Sequence, residues 1–220
     1  MADEQKPAGP VPPSPDQGES ADKLAQPAAQ PAKPAAPKAP AAHAAAPKAP
    51  PVMAVTPWEG ELVQQLRERF GDRIREYSSY LGQNFLIAQP EALIPILEFL
   101  KLEADFDYLV DITAVDHPSR AERFDIVYIL YSFSRNERIR IKVMIPDGAR
   151  PASAIPVHLA ANWLEREVFD MFGIEFEGHP NMRRILLPEE WEGYPLRKDY
   201  SILEQDNKWV KENLGIESGQ

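Results

Sequence analysis

The feature that most restricts this chain is a run of 57 residues with almost nothing to bury. Residues 1–57 contain 14 of the 23 prolines and 17 alanines but no Phe, Trp or Tyr, so all 20 aromatic residues lie downstream. Proline breaks helices and alanine alone cannot build a core, so the Ala-Pro-Lys texture from Lys23 to Val52 predicts a disordered, solvated, partly polyproline-II tail. What folds must fold within the remaining 163 residues, enough for a real core.

Charge divides at the same place. The tail holds five acidic residues and five lysines, so the whole net charge of −10 belongs to residues 58–220. That acidity argues against a nucleic-acid partner, which would need a local excess of Lys and Arg, and Lys33, Lys38 and Lys48 are too sparse to supply one. The chain has no cysteine, which removes disulfides, thiol catalysis, zinc-thiolate sites and Cys-ligated iron–sulfur clusters. The opening Met-Ala-Asp-Glu-Gln-Lys has no apolar leader, and no stretch approaches the ~18 apolar residues of a spanning helix. The expectation is a soluble, cytoplasmic chain that meets a membrane only through partners.

Periodicity then orders the folded part. Leu62, Val63, Leu66 and Phe70 share a helical face that Gly71 ends. Arg73–Ala88 reads as one or two strands about Gly82, and Pro90–Leu100 as a second helix disturbed at Pro95. Three strand-like runs follow, 107–116, 123–133 and 137–145, with links too short for crossover helices, so they predict an antiparallel meander. In the third, Ile139, Ile141, Val143 and Ile145 alternate with Arg138, Arg140 and Lys142, one buried face against one wet face. The second is apolar on both sides and reads as central and covered on both faces. A last helix, with Pro156 in its first turn, is expected to run to Phe172 and stop at Gly173. The fold class is α+β, a two-layer sandwich of a mostly antiparallel sheet with helices over residues 58–173, followed by an irregular extended arm over 174–220.

The end of that helix is electrostatically odd. Glu167 and Asp170 lie where the helix dipole disfavours anions, and Arg183, Arg184, Arg197 and Lys198 are the candidates to offset them. The arm itself holds Ile174, Phe176, Met182, Ile185–Leu187, Trp191, Tyr194, Leu196 and Tyr200 without helical or strand period, broken by Pro180, Pro188 and Pro195. So apolar a segment must pack on its own domain or on another chain, and Trp, Tyr and Arg are enriched at interfaces.

The run Glu165-Arg166-Glu167-Val168-Phe169-Asp170-Met171-Phe172-Gly173-Ile174, then Gly178-His179-Pro180, Arg183-Arg184-Ile185-Leu186-Leu187-Pro188, Trp191 and Pro195-Leu196-Arg197-Lys198-Asp199-Tyr200, closely resembles the signature of the 30-kDa subunit family of respiratory complex I, NADH:quinone oxidoreductase. Asp111–Asp116 and Ala161-Asn162-Trp163 also look like that family, and Ser201 stands where the family pattern has Pro. The resemblance implies a peripheral-arm subunit with no cofactor of its own, FMN and iron–sulfur clusters being held by partner subunits. It implies docking to the hydrogenase-like large subunit and the terminal iron–sulfur subunit, on the cytoplasmic side of the cell membrane. The whole would pass electrons from NADH to quinone and translocate protons. Related subunits occur in ferredoxin-driven and hydrogenase-type complexes, which leaves the electron donor open.

An enzymatic alternative uses Glu165, Glu167, Asp170 and His179 as an acid/base or metal site. At ~100° per residue Glu165 and Glu167 face apart, and one histidine falls short of the two in H-E-x-x-H. His179 before Pro180 reads better as a turn residue, as does Asp116-His117-Pro118. Asp111 and Asp125 extend that second group into a nominal acidic cluster. Ser153 has no triad context, and no phosphate loop or nicotinamide fingerprint appears.

Overall fold

The computed structural model describes residues 54–201 and 207–215. Most of the predicted tail lies outside them, but Thr56–Pro57, which composition assigned to the tail, form a short edge strand β1. It is followed by α1 (Glu61–Phe70), β2 (Ile74–Tyr80), β3 (Gln83–Ala88), α2 (Leu93–Leu102), β4 (Tyr108–Asp116), β5 (Phe124–Ser132), β6 (Glu137–Ile145), α3 (Ala161–Phe172) and α4 (Asn207–Leu214).

The six strands form one sheet in the order β1-β2-β3-β6-β5-β4. β2 and β3 make a hairpin whose two central residues, Leu81 (φ 53°) and Gly82 (φ 72°), are both left-handed, as a type I′ turn requires. The meander β4-β5-β6 is antiparallel as expected, with Phe124 opposite Ile145 and Ile126 opposite Val143. What periodicity did not reveal is the junction. β3 pairs in parallel with β6, Leu86 opposite Ile141, and so fuses hairpin and meander into a single sheet.

One continuous core joins the inner sheet face to the helices. Ile139, Ile141, Val143 and Ile145 of β6 and Phe124, Ile126, Tyr128 and Leu130 of β5 pack with Leu66 and Phe70 of α1, Ile96, Leu97 and Leu100 of α2, and Val168 and Phe172 of α3. The other face of β5 is covered only in part: Val127 is buried, while Ile129 and Tyr131 are half-buried.

Two helix expectations need correction. Pro95 does not disturb α2, because it is the third residue of the helix, where the backbone N–H has no intrahelical acceptor to lose. The helix expected from Pro156 is α3, which begins at Ala161. Residues 154–160 instead form turns, because the Ala154 N–H is taken by the Glu165 carboxylate at 2.6 Å and the His158 N–H by the Ala154 carbonyl at 2.8 Å.

After Gly173 the chain doubles back. Ile174 and Phe176 enter the core, and Glu177 exchanges backbone bonds with Pro151 and Ser153, both 2.8 Å. The segment 178–201 has no regular structure, and Trp191 within it meets Trp209 of α4 edge-on, centroids 5.7 Å apart. Sequence periodicity had marked no element at α4.

Candidate functional site

The signature residues gather where α3 ends and the arm folds back over it. On α3 the buried residues include Ala161, Glu165, Val168 and Phe172, which share one face, and Asp170, which at ~100° per residue lies on the opposite face and is buried beneath the arm. The two carboxylates have separate sets of partners.

Asp170 is fully buried. Its Oδ2 accepts the backbone N–H groups of Ile185, Leu186 and Leu187 at 2.9, 2.7 and 2.9 Å, and its Oδ1 accepts the Arg184 guanidinium at 2.7 Å. Three successive N–H groups turned on one oxygen make an anion nest, here filled by the chain's own side chain. Burial alone would raise the Asp170 pKa. The hydrogen bonds from Leu187, Arg184, Ile185 and Leu186 outweigh it and hold the carboxyl below the usual range.

Arginines stitch the rest of the arm. Arg184 also donates to the carbonyls of Asp170, Trp191 and Gly193 at 3.1, 2.9 and 3.0 Å and lies over the Tyr194 ring. Arg166 donates to the carbonyls of Arg183 and Arg184, both 3.0 Å, with its guanidinium over Trp163. Arg197 caps α3 by donating to the Phe172 carbonyl at 2.6 Å, grips Asp147 with two bonds of 3.1 and 2.9 Å, and lies over Phe124 and Tyr194.

Arg123 forks onto Asp116 at 2.7 and 2.8 Å and pairs with Asp199 at 2.8 Å, while Asp116 also accepts the Lys198 N–H at 2.7 Å. Hydrogen bonding to Arg123 lowers the pKa of both Asp116 and Asp199. Gly173, at φ 73°, ends α3 in the left-handed conformation, and a Cβ there would lie 2.5 Å from the Tyr194 ring. Tyr200 packs equally close to Gly193. Phe172 meets Phe124 edge-on, centroids 6.4 Å apart.

Of the four cations expected to offset the helix end, Arg184 and Arg197 do so directly. Lys198 contributes its backbone N–H, and Arg183 its carbonyl, while both side chains are exposed.

Glu165 was not expected to be buried. It is fully enclosed, with Ser153 Oγ donating to its Oε2 at 2.7 Å and the Ala154 N–H to its Oε1 at 2.6 Å. Among the described residues no cation forms an ion pair with it, and burial pushes its pKa up to about 7. The Tyr128 hydroxyl is buried without a hydrogen-bond partner, and burial raises its pKa, with the Glu165 charge adding to the effect. His158 is buried too, its Nε2 without a partner, and burial lowers its pKa to about 4. The signal for Glu165 was its place in the apolar stripe 161, 165, 168, 172.

The structure does not bring Glu165, Glu167, Asp170 and His179 to a common centre. Glu165 faces Ser153, Asp170 faces the arm and Glu167 is exposed. The His179 ring joins its turn to α3: Nε2 donates to the Asn162 carbonyl at 3.1 Å, and Nδ1 accepts the Asn181 N–H at 3.0 Å. Asp116 and Asp125 are matched by Arg123 and Arg120. Among the described residues no group of three or more His, Asp or Glu is placed to hold a metal, and no helix is long and apolar enough to cross a membrane.

A family match covers residues 86–206, and the family is described as respiratory-chain NADH dehydrogenase, 30 Kd subunit. The chain belongs to this 30-kDa subunit family. Its similarity to known members is high: 46% identity over 145 residues to an NADH-quinone oxidoreductase subunit of Brucella ovis, covering 65% of this chain and 72% of the relative. The equivalent NADH-quinone oxidoreductase subunit of Cereibacter sphaeroides is likewise 46% identical over 142 residues, 64% and 71% of the two chains. Among solved structures, a chain of the membrane-bound sulfane sulfur reductase, an archaeal respiratory membrane complex, superposes with a TM-score of 0.58 at 28% identity, covering 72% of this chain and 92% of that one. The family match includes α3 and the arm to residue 206, so the arginine-stitched fold-back lies within the shared region.

Proposed function

We propose that this chain is a non-catalytic peripheral-arm subunit of a proton-translocating NADH:quinone oxidoreductase, bracing partner subunits that carry electrons from NADH through FMN and iron–sulfur clusters to quinone. The observation that carries the reading is family membership, through the match over residues 86–206. The site's chemistry agrees with it. Asp170, Arg166, Arg184 and Arg197 are engaged in fastening an irregular, Trp-, Tyr- and Leu-bearing arm to the domain, which gives that arm a defined outer surface. Leu186 and Leu196 on the arm and Leu159 and Trp163 beside it are exposed by 60%, 51%, 82% and 60%, residue types suited to a partner surface.

On this reading the partners are the hydrogenase-like large subunit and the terminal iron–sulfur subunit, and the chain lies on the cytoplasmic side of the cell membrane, peripheral to it. With no cysteine it offers no thiolate ligand for an iron–sulfur cluster.

A second reading within the family places the chain in a complex driven by another electron donor. The likeness to a chain of the archaeal sulfane sulfur reductase complex supports keeping it. Affinity purification of the tagged chain from gently solubilised membranes, with mass spectrometry of the associated subunits, decides between them. Recovery of flavin-bearing NADH-oxidising subunits is expected; recovery of other input subunits favours the second reading, and recovery of the chain alone contradicts both.

A further inference from the structure

The sheet face opposite the core carries cations that the arm does not use. Arg138, Arg140 and Lys142 alternate along β6 on that face, and none of them enters an ion pair among the described residues, although the folded part carries the chain's whole net charge of −10. The Arg140 Nε is enclosed without a hydrogen-bond acceptor. Lys142 Nζ stands 4.6 Å above the Phe85 ring. Together with Val55, Tyr80 and Phe85 these two cations line an open cavity of about 240 Å³. Phe85, Ile87 and Val127 on the same face are buried yet stand apart from the main core. Among the described residues three carboxylates share this face: Glu76 on β2 accepts the Ser78 hydroxyl at 2.6 Å, Asp125 on β5 pairs with Arg120, and Asp111 on β4 lies two strands from Arg140, with Ile129 between them.

We infer that this face docks an extended acidic segment of a partner subunit, with its carboxylates on Arg140 and Lys142 and its apolar side chains toward Phe85. An enclosed guanidinium nitrogen without an acceptor is unfavourable until an anion reaches it. The spacing selects a peptide over a lone small anion: alternate strand residues are about 6.6 Å apart, so the three cations form a line of roughly 13 Å, which an extended chain with acidic residues at alternate positions matches. The inference rests on the reading of this chain as one subunit among several.

The test is zero-length carbodiimide cross-linking of the affinity-purified intact complex, which joins an amine to a carboxylate only where the two already touch, followed by peptide mass spectrometry. Lys142 is expected to be joined to an Asp or Glu of another subunit. Combining Arg140→Gln with Lys142→Gln is expected to reduce partner recovery by roughly tenfold at low ionic strength, and by less as salt is raised. An intact complex in which Lys142 is joined to no other subunit overturns the docking surface and leaves the subunit role standing. A chain that brings down no partner overturns both.

Discussion

Arg184 reaches back 14 residues to Asp170, placing its guanidinium 2.7 Å from Oδ1 in a site where the aspartate is fully buried and the arginine side chain is 12% exposed. The neighbouring oxygen takes three backbone N–H groups of the arm. The pair therefore joins the last turn of α3 to a segment with no secondary structure of its own.

Removing the anion should release the arm. Asp170→Ala leaves Arg184 and three N–H groups without their acceptor, and breaking such a buried pair costs about 3–5 kcal/mol. Urea unfolding of the purified chain should show that loss, and limited proteolysis should cut within residues 183–200 before the sheet. Unchanged cleavage in this segment would refute the role given to Asp170.

The adjacent arginines should behave differently. Arg184→Glu opposes a buried carboxylate and should destabilise the fold as severely as the loss of Asp170. Arg183→Glu changes an exposed side chain and should stay within about 0.5 kcal/mol of wild type, while lowering recovery of partner subunits.

Glu165 gives the chain a pH dependence of definite sign. Its pKa rises from 4.5 to about 7 on folding, so between those values the folded state binds more protons and stability falls as pH rises. The contribution is complete below pH 4.5 and about 3 kcal/mol smaller well above pH 7. Asp116, Asp170 and Asp199, all lowered from 3.8, act in the opposite sense and only at acid pH below that window. Glu165→Gln can accept the Ala154 N–H on its amide oxygen and donate its NH2 to Ser153 Oγ, and it does not titrate. Denaturant curves at pH 5 and pH 8 should show the variant gaining on wild type at the higher pH; parallel behaviour would contradict the assignment.

Gly173→Ala should be costly for its size. The position is left-handed, which an L side chain disfavours by about 1–2 kcal/mol, and the new methyl would also displace Tyr194. A melting temperature equal to wild type would show that the arm can shift without penalty.

Much of this was legible in the sequence because it repeats locally. The alternation Ile139, Ile141, Val143, Ile145 specifies a strand with one buried face, and the spacing of Leu62, Leu66 and Phe70 specifies α1. The parallel pairing of β3 with β6 has no local mark, since strands distant in sequence find register through the tertiary core. Pro95 misled because a proline's effect depends on its position within the helix, which sequence fixes only to a few residues. At the site, charge arithmetic identified the need for a cation near Asp170 and named Arg184 among four candidates. The N–H groups of Ile185–Leu187 were invisible, because any residue type carries one. Glu165 was hidden in plain view: a carboxyl in an apolar stripe was read as part of a charged helix end, when its register placed it in the core.

Whether this subunit braces a redox complex without performing its chemistry is tested most directly by turnover per assembled complex. Glu167 is the exposed carboxylate of the Glu165, Glu167 and Asp170 set on α3, so Glu167→Gln can be introduced without disturbing the core. The complex carrying this variant should be quantified on native gels and assayed for NADH:quinone turnover. The ratio of turnover to assembled complex is expected to equal that of wild type. A normal amount of complex with turnover abolished would contradict the bracing role and assign chemistry to this helix.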